Sequence, residues 1–369
     1  MRIISFYTFL WFLLASLIVS CDSVSTSSGS NSEESEGSSW LIPENQIFVG
    51  AGREAIPSID DPSYKPVQEI TFIDNDELIL GVKVDGEIKG YPHQILNYHE
   101  IINDYIANTP VAITFCPLTG SGMAWNRVVN GQETTFGVSG LIHKNNLIAY
   151  DRATDNFWSQ MLEMSVKGSL QMEKTTSYSI VEMTWNAWKK VFPESIVLSG
   201  ETGFDRNYKV YPYGRNYNQN NNNIVFPIHR EDERLERKTL AHGIFYDTNL
   251  HVFPIDYFPE ELKIININIA GNEVVIAGNS KDKMVVSYSR VAADGSVLSF
   301  FELDKELPTL MEDNEGNEWN LFGECVSGTR EGEKLQPIPS YNAYWFAWVD
   351  FFGESHQIPT TPLPIIVMP

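Results

Sequence analysis

The stretch Asp151-Arg152-Ala153-Thr154-Asp155, which leads to Trp158, sets the organisation of the whole chain. It is answered 162 residues later by Asp313-Asn314-Glu315-Gly316-Asn317, which leads to Trp319. After the first copy come Gly168-Ser169-Leu170, Trp185-Asn186-Ala187-Trp188 and Phe192-Pro193-Glu194-Ser195. After the second come Ser327-Gly328, Leu335, Trp345-Phe346-Ala347-Trp348 and Phe352-Gly353-Glu354-Ser355. Each tryptophan of the paired motif is shifted by 160 residues. Upstream, Gly81-Val82-Lys83-Val84-Asp85-Gly86, ending at Tyr91-Pro92, answers Gly243-Ile244-Phe245-Tyr246-Asp247-Thr248, ending at Phe253-Pro254. Arg127 before an Asn-Gly turn answers Arg290 before an Asp-Gly turn. A near-constant shift carried by several tryptophans predicts a duplicated domain, because a solenoid repeat would be far shorter.

Both halves read as rich in strands. Glu77 to Lys89 alternates around Asp85-Gly86, and Met123 to Val138 alternates around Asn130-Gly131, as hairpins do. Pro110 to Phe115 reads as a buried strand. Two helices are expected. One covers residues 93–106, with Ile95, Leu96, His99 and Ile102 on one face. The other runs from Thr184, a candidate N-cap, to Val191. The expected fold class is α+β and strand-rich: a tandem duplication of a mostly β unit with a few short helices, its halves packed as one pseudo-symmetric body. The first half spans residues 40–202 and the second 237–369. A connecting segment, 203–236, carries the Asn-rich run Asn216 to Asn223 and is expected to be a surface loop.

The 369 residues are 43% hydrophobic, which is ample for a core. A net charge of −22 repels phosphate backbones and argues against nucleic acid as a partner. Three cysteines are too few for a disulfide scaffold or a four-thiolate zinc site. Residues 1–20 have the parts of a secretory signal: Arg2, an apolar run from Ile3 to Val19, and small Ser20 before Cys21. The Ser20-Cys21 junction resembles a bacterial lipobox, which would acylate Cys21. The alternative is a single membrane-spanning helix, since the apolar run is nearly long enough. Residues 21–39, rich in Ser, Gly and acid, cannot bury enough surface to order themselves and read as a tether. The expected location is therefore the bacterial cell envelope, periplasmic or surface-exposed, with the membrane as partner through a lipid anchor on Cys21.

One segment carries chemistry: Thr114-Phe115-Cys116-Pro117-Leu118-Thr119-Gly120-Ser121-Gly122. A strand ends at a thiol and enters a turn with a proline and two glycines. Converging backbone N–H groups or a nearby imidazole would stabilise a thiolate there. The competing reading is an inert buried cysteine that packs as a small hydrophobe.

The stretch from Gly90-Tyr91-Pro92-His93 through His99-Glu100-Ile101-Ile102-Asn103-Asp104, together with the Phe-Cys-Pro-Leu loop, Asn126-Arg127, Thr135 to Leu141 and Tyr150-Asp151-Arg152-Ala153-Thr154, resembles the DUF3179 family of bacterial and archaeal proteins. The family has no established activity. Its usual loop is Cys-Pro-Leu-Cys-Gly and it includes selenoproteins, which implies redox chemistry or binding of a soft transition metal. Thr119 replaces the second cysteine here, so the loop cannot close its own disulfide and lacks one soft ligand. The resemblance implies a single-thiol redox or metal site, or its loss in favour of a ligand-binding or structural role.

In the first of these readings Cys116, His99 and Arg127 are the catalytic set. His99 is the base or the second metal ligand, and Arg127 the counter-charge. Glu100, Thr119, Asn145, Asn146, Asp151 and Arg152 would line the pocket. Each also has a plainer use: Asp151 as a turn cap, the arginines in surface ion pairs, His99 as a core histidine. The second half offers no cysteine or histidine where Cys116 maps, near Asn279, and reads as a degenerate copy. Cys325 maps near Met164. A Cys116–Cys325 bridge is a matter of geometry that sequence does not supply. No nucleophile elbow, His-Glu-x-x-His zinc motif, phosphate loop or dinucleotide fingerprint is present.

Overall fold

Asp85 and Gly86 both take positive φ, 47° and 88°, as a tight two-residue turn demands. They join the strands Leu78–Val84 and Glu87–Pro92 into the expected hairpin, with Gly81 opposite Gly90. The reason for these glycines is close approach: a Cβ on Gly81 would lie 2.2 Å from the Trp188 ring. A Cβ on Gly243, in the strand Leu240–Tyr246, would lie 2.4 Å from Trp348. The computed structural model in which these relations are seen describes residues 39–214, 216–246 and 249–353. The signal segment, Cys21 and the tether as far as residue 38 lie outside the described residues.

The described chain is strand-rich, built from several small sheets and three short helices. Toward the N-terminus, a five-stranded sheet runs in the order Ile180–Thr184, Leu78–Val84, Glu87–Pro92, Ile196–Leu198, Tyr64–Pro66. A four-stranded sheet follows: Ser177–Tyr178, Ser121–Asn126, Thr109–Cys116, Ile101–Ile106. A third holds Ile47–Val49, Phe136–His143, Asn146–Asp151, Phe157–Ser159 and Met164–Lys167. Toward the C-terminus are two three-stranded sheets and one four-stranded sheet, in which Ser340–Tyr344 lies beside Leu240–Tyr246 and Met284–Ser289 beside Asn272–Asn279.

The helix expected over residues 93–106 is half a helix. α1 covers His93–His99, Glu100 turns left-handed at φ 57°, and Ile101–Ile106 is a strand. The apolar residues beyond Glu100 read equally well as a helix stripe or a strand face, and pairing decides between them: Ile102 lies opposite Ile113, and Ile59 bridges on the other side. α2, Trp185–Val191, begins as expected, with the Thr184 hydroxyl accepting the Ala187 N–H. α3 is Trp345–Phe352. Asn130-Gly131 does form a turn, but only between the two-residue strands Val128–Val129 and Gln132–Glu133. The longer strands on either side pair elsewhere.

Core packing interleaves distant parts of the chain. One core joins Trp185, Trp188 and Phe192 to Trp319, Leu321 and Phe322. Another joins Trp125, Trp158 and Met161 to Tyr341, Trp345 and Trp348. Each buried indole costs roughly 3–5 kcal/mol if cut back to alanine. Most of these indoles also keep a partner for their N–H, as buried tryptophans must. Trp158 donates to Asp151 and Trp319 to Asp313, both at 2.9 Å, and Trp348 to the Ala241 carbonyl at 3.1 Å.

Candidate functional site

Cys116 ends the strand Thr109–Cys116, as expected, but its side chain turns inward. It is 1% exposed and belongs to the core that holds Trp158 and Trp348. Sγ lies 3.5 Å from the Asn145 carbonyl. Burial, aided by the nearby Glu100 carboxyl, pushes the thiol up to about 11, against the direction a nucleophile needs.

The connecting segment supplies the cover. Tyr211 donates to the Pro117 carbonyl and Tyr217 to the Leu118 carbonyl, both at 3.0 Å. Tyr213 donates to Glu100 Oε1 at 2.7 Å. The Tyr211 and Tyr217 rings stack at 5.8 Å. Asn145 exchanges two hydrogen bonds with the Phe226 backbone, at 2.8 and 3.0 Å. The segment is thus a strap across the Cys-Pro-Leu loop. Its aromatic residues were the overlooked signal in an asparagine-rich stretch.

Beneath the loop the polar groups satisfy one another. Thr119 Oγ1 pairs with Ser121 Oγ at 2.8 Å and accepts from Asn146 at 2.9 Å. Gln160 Oε1 accepts from Asn146 at 2.7 Å and from Ser121 at 2.9 Å. Thr119 therefore stands in a closed hydrogen-bond net. Glu100 is the exception: its Oε2 has no hydrogen-bond partner, and burial pushes its carboxyl up to about 7.

The expected catalytic set does not assemble. His99 gives Nδ1–H to the Pro57 carbonyl at 2.8 Å, and its Nε2 faces the Tyr208 hydroxyl at 2.7 Å. Both nitrogens are taken, and burial lowers its pKa, so it is a neutral packing histidine. Arg127 spends its guanidinium on the carbonyls of Asp104 and Thr134, and its backbone pairs with Pro110. That is the far end of the strand from Cys116, six residues or roughly 20 Å away. Asp151 caps its turn, accepting from Thr154, Asn156 and Trp158. Arg152 pairs with Glu54 and Asp60.

Nor do Cys116 and His99 fit a metal. One is sealed, the other has no free nitrogen, and among the described residues no three His, Cys, Asp or Glu side chains gather to hold an ion. Cys116 and Cys325 are both free thiols, in different cores.

Cys116 lines none of the three hollows that follow, although its neighbour Phe115 and the loop residue Gly120 line one of them. A cavity of about 90 Å³ runs between Gly122–Ala124 and Ile180 on one side and Val285–Ser287 and Ser340 on the other. In its wall, His242 Nδ1 donates to Asn342 Oδ1 at 2.9 Å and its Nε2 faces Ser287 Oγ at 2.8 Å. This has the connectivity of a nucleophile, base and orienter. However, burial holds His242 down at about 4, and Ser287 lies mid-strand opposite Ile276, where its backbone belongs to the ladder and offers no oxyanion site. The relay instead orients Glu182: Asn342 Nδ2 donates to Glu182 Oε1 at 3.3 Å.

Glu182 also floors a second cleft, of about 130 Å³, shared with His93, Glu77 and Lys283. A wider surface hollow of about 740 Å³ lies beside Trp345, where Arg234 pairs with Asp232 and Arg237 with Glu231. Glu182, His93, Asn342 and His242 were not singled out as a group by sequence. The 160-residue shift, which sets Glu182 against Asn342, was the signal available.

A family model described as "Protein of unknown function (DUF3179)" matches residues 53–355. No curated protein and no solved structure matches the chain.

Proposed function

Taking as premise that this chain belongs to the DUF3179 family, we propose that it is an envelope lipoprotein that binds a small molecule at the junction of two duplicated halves, without thiol or metal chemistry. The observation that carries this reading is the placement of hollow space and of sulfur. The cavity and the cleft meet at Glu182, and although Phe115, Gly120 and Tyr211 of the loop and its strap line the cleft, Cys116 does not, lying under the tyrosines with its thiol pushed up to about 11. An activated thiol needs the opposite environment. Thr119 in place of the family's second cysteine points the same way. Anchoring through Cys21 and export by residues 1–20 rest on the signal and lipobox pattern.

The duplication is supported by recurring local construction. Asp151 accepts the Trp158 indole as Asp313 accepts that of Trp319. Thr184 donates its N–H to the Asp282 carbonyl as Tyr344 does to that of Thr119. Under a shift of 160 to 163 residues the members of each pair correspond, so the junction is an isologous contact about a pseudo-twofold axis.

The test is a melting screen against small metabolites. A ligand that raises Tm equally in the wild type and in Cys116→Ser supports binding. Stabilisation that vanishes in Cys116→Ser would restore the thiol as the functional group. Cys21→Ser should abolish acylation, read by incorporation of labelled palmitate.

A further inference from the structure

We infer that the cleft floored by Glu182 and His93 takes a small organic ammonium compound, an inference that rests on the binding reading above. Glu182 sits on the strand Ile180–Thr184, and its side chain is 1% exposed. Asn342 holds Oε1, but Oε2 has no hydrogen-bond partner. It faces His93 Nε2 at 3.5 Å, which also has none. A buried carboxylate oxygen without a donor is costly, by about 1–3 kcal/mol or more. His93 Nε2 is close enough to pair with it but makes no hydrogen bond to it, which leaves that donor to a ligand.

The cleft selects the sign of what does. Asp76, Glu77 and Glu182 line it, against one lysine, Lys283. An anion would be repelled, and a neutral ligand would leave the charge of Glu182 uncompensated. A bare metal ion needs ligands gathered on one point, and the described residues hold no such group. An ammonium carries three N–H donors and its own charge, so it can satisfy Glu182 Oε2 and still reach a second acceptor. Phe115 and Tyr344 give the cleft an aromatic wall against which methylenes can lie. A volume of about 130 Å³ limits the ligand to a short chain. Asn342 and His242 act as positioning residues, since Asn342 bonds Glu182 and His242 holds Asn342, and both meet the ligand only through Glu182.

The probe is putrescine, with butanediol as the neutral control, titrated calorimetrically into the detergent-solubilised full chain. Putrescine should bind the wild type and Cys116→Ser alike, and butanediol should not bind. Glu182→Gln should weaken putrescine at least tenfold, while Glu201→Gln on the outer surface should leave it unchanged. Should Glu182→Gln fail to fold, Glu77→Gln carries the test, with an expected loss of about threefold. Equal binding of butanediol, or affinity indifferent to both cleft variants, overturns the inference. So does Glu182-dependent binding of zinc or calcium without putrescine. If putrescine fails while another small molecule stabilises the protein independently of Cys116, only the ligand class is wrong. If nothing stabilises it, the binding reading falls as well.

Discussion

Tyr344 donates its backbone N–H to the carbonyl of Thr119 at 2.8 Å, so the Cys-Pro-Leu loop is closed from the C-terminal part of the chain. Its ring also covers Gly120, which has φ +62° and whose Cβ, if present, would lie 2.8 Å from the Tyr344 ring. The loop is therefore rigid because two distant segments fix it, not because of its own sequence.

Gly120→Ala combines left-handed strain with a clash and should destabilise by roughly 2–4 kcal/mol. Gly203→Ala has φ +80° but open space around it, so it should cost only about 1 kcal/mol. Urea unfolding of the two variants measures the difference. Equal losses would mean that the Tyr344 contact contributes nothing.

Asp151 and Arg152 are adjacent in sequence and should behave oppositely. The Asp151 carboxylate accepts from two backbone N–H groups, the Thr154 hydroxyl and the buried Trp158 indole. Asp151→Ala leaves these donors unpaired and should cost roughly 3–5 kcal/mol. Arg152 pairs with the half-exposed acids Glu54 and Asp60, so Arg152→Ala should cost about 1 kcal/mol or less for each pair. A stably folded Asp151→Ala that loses ligand binding instead would return Asp151 to the binding site.

Much of this was legible because it is local. The Asp85-Gly86 turn, the strand ending at Cys116 and the Thr184 cap depend on neighbours a few residues away. The candidate site was half legible. Thr119, Asn145, Asn146 and Glu100 do lie at the Cys-Pro-Leu loop, because the hairpin turn at Asn145 packs on the loop and Glu100 pairs with Phe115 through its carbonyl. Arg127 was misplaced because a hairpin returns it to the far end of the strand, and His99 because, at the end of α1, both its ring nitrogens are taken by Pro57 and Tyr208. Tyr211, Tyr213 and Tyr217 reach the loop from about a hundred residues away, and Glu182 meets Asn342 across 160. No local pattern encodes such contacts.

Glu100 should make stability fall as pH rises. Its carboxyl titrates near 4.3 in the unfolded chain and about 7 when folded, so the folded state holds its proton more tightly. The resulting stabilisation is complete below about pH 4.3 and is lost as pH climbs through 7, a change of order 3 kcal/mol. Glu100→Gln, which is neutral at every pH, should flatten this limb and be the more stable protein at pH 8. Melting curves across pH 4 to 8 would show it. A Glu100→Gln profile parallel to that of the wild type would mean that the carboxyl is ionised and solvated in the fold.

The strap sets the last expectation. Cys116 is sealed by Tyr211 and Tyr217, which bond the loop carbonyls, and by Tyr213, which bonds Glu100. A thiol disulfide reagent at pH 8 should therefore leave Cys116 unmodified in the native protein and react fully after denaturation. Tyr211→Phe combined with Tyr217→Phe removes two hydrogen bonds worth about 1 kcal/mol each. If the strap opens locally, labelling should accelerate by about tenfold or more, because the rate follows the population of the open form. Global unfolding would expose Cys325 at the same rate, so mass mapping of the two sites separates local from global opening. Prompt labelling of wild-type Cys116 at pH 7 would be incompatible with burial under the tyrosines and would revive a thiol-based activity.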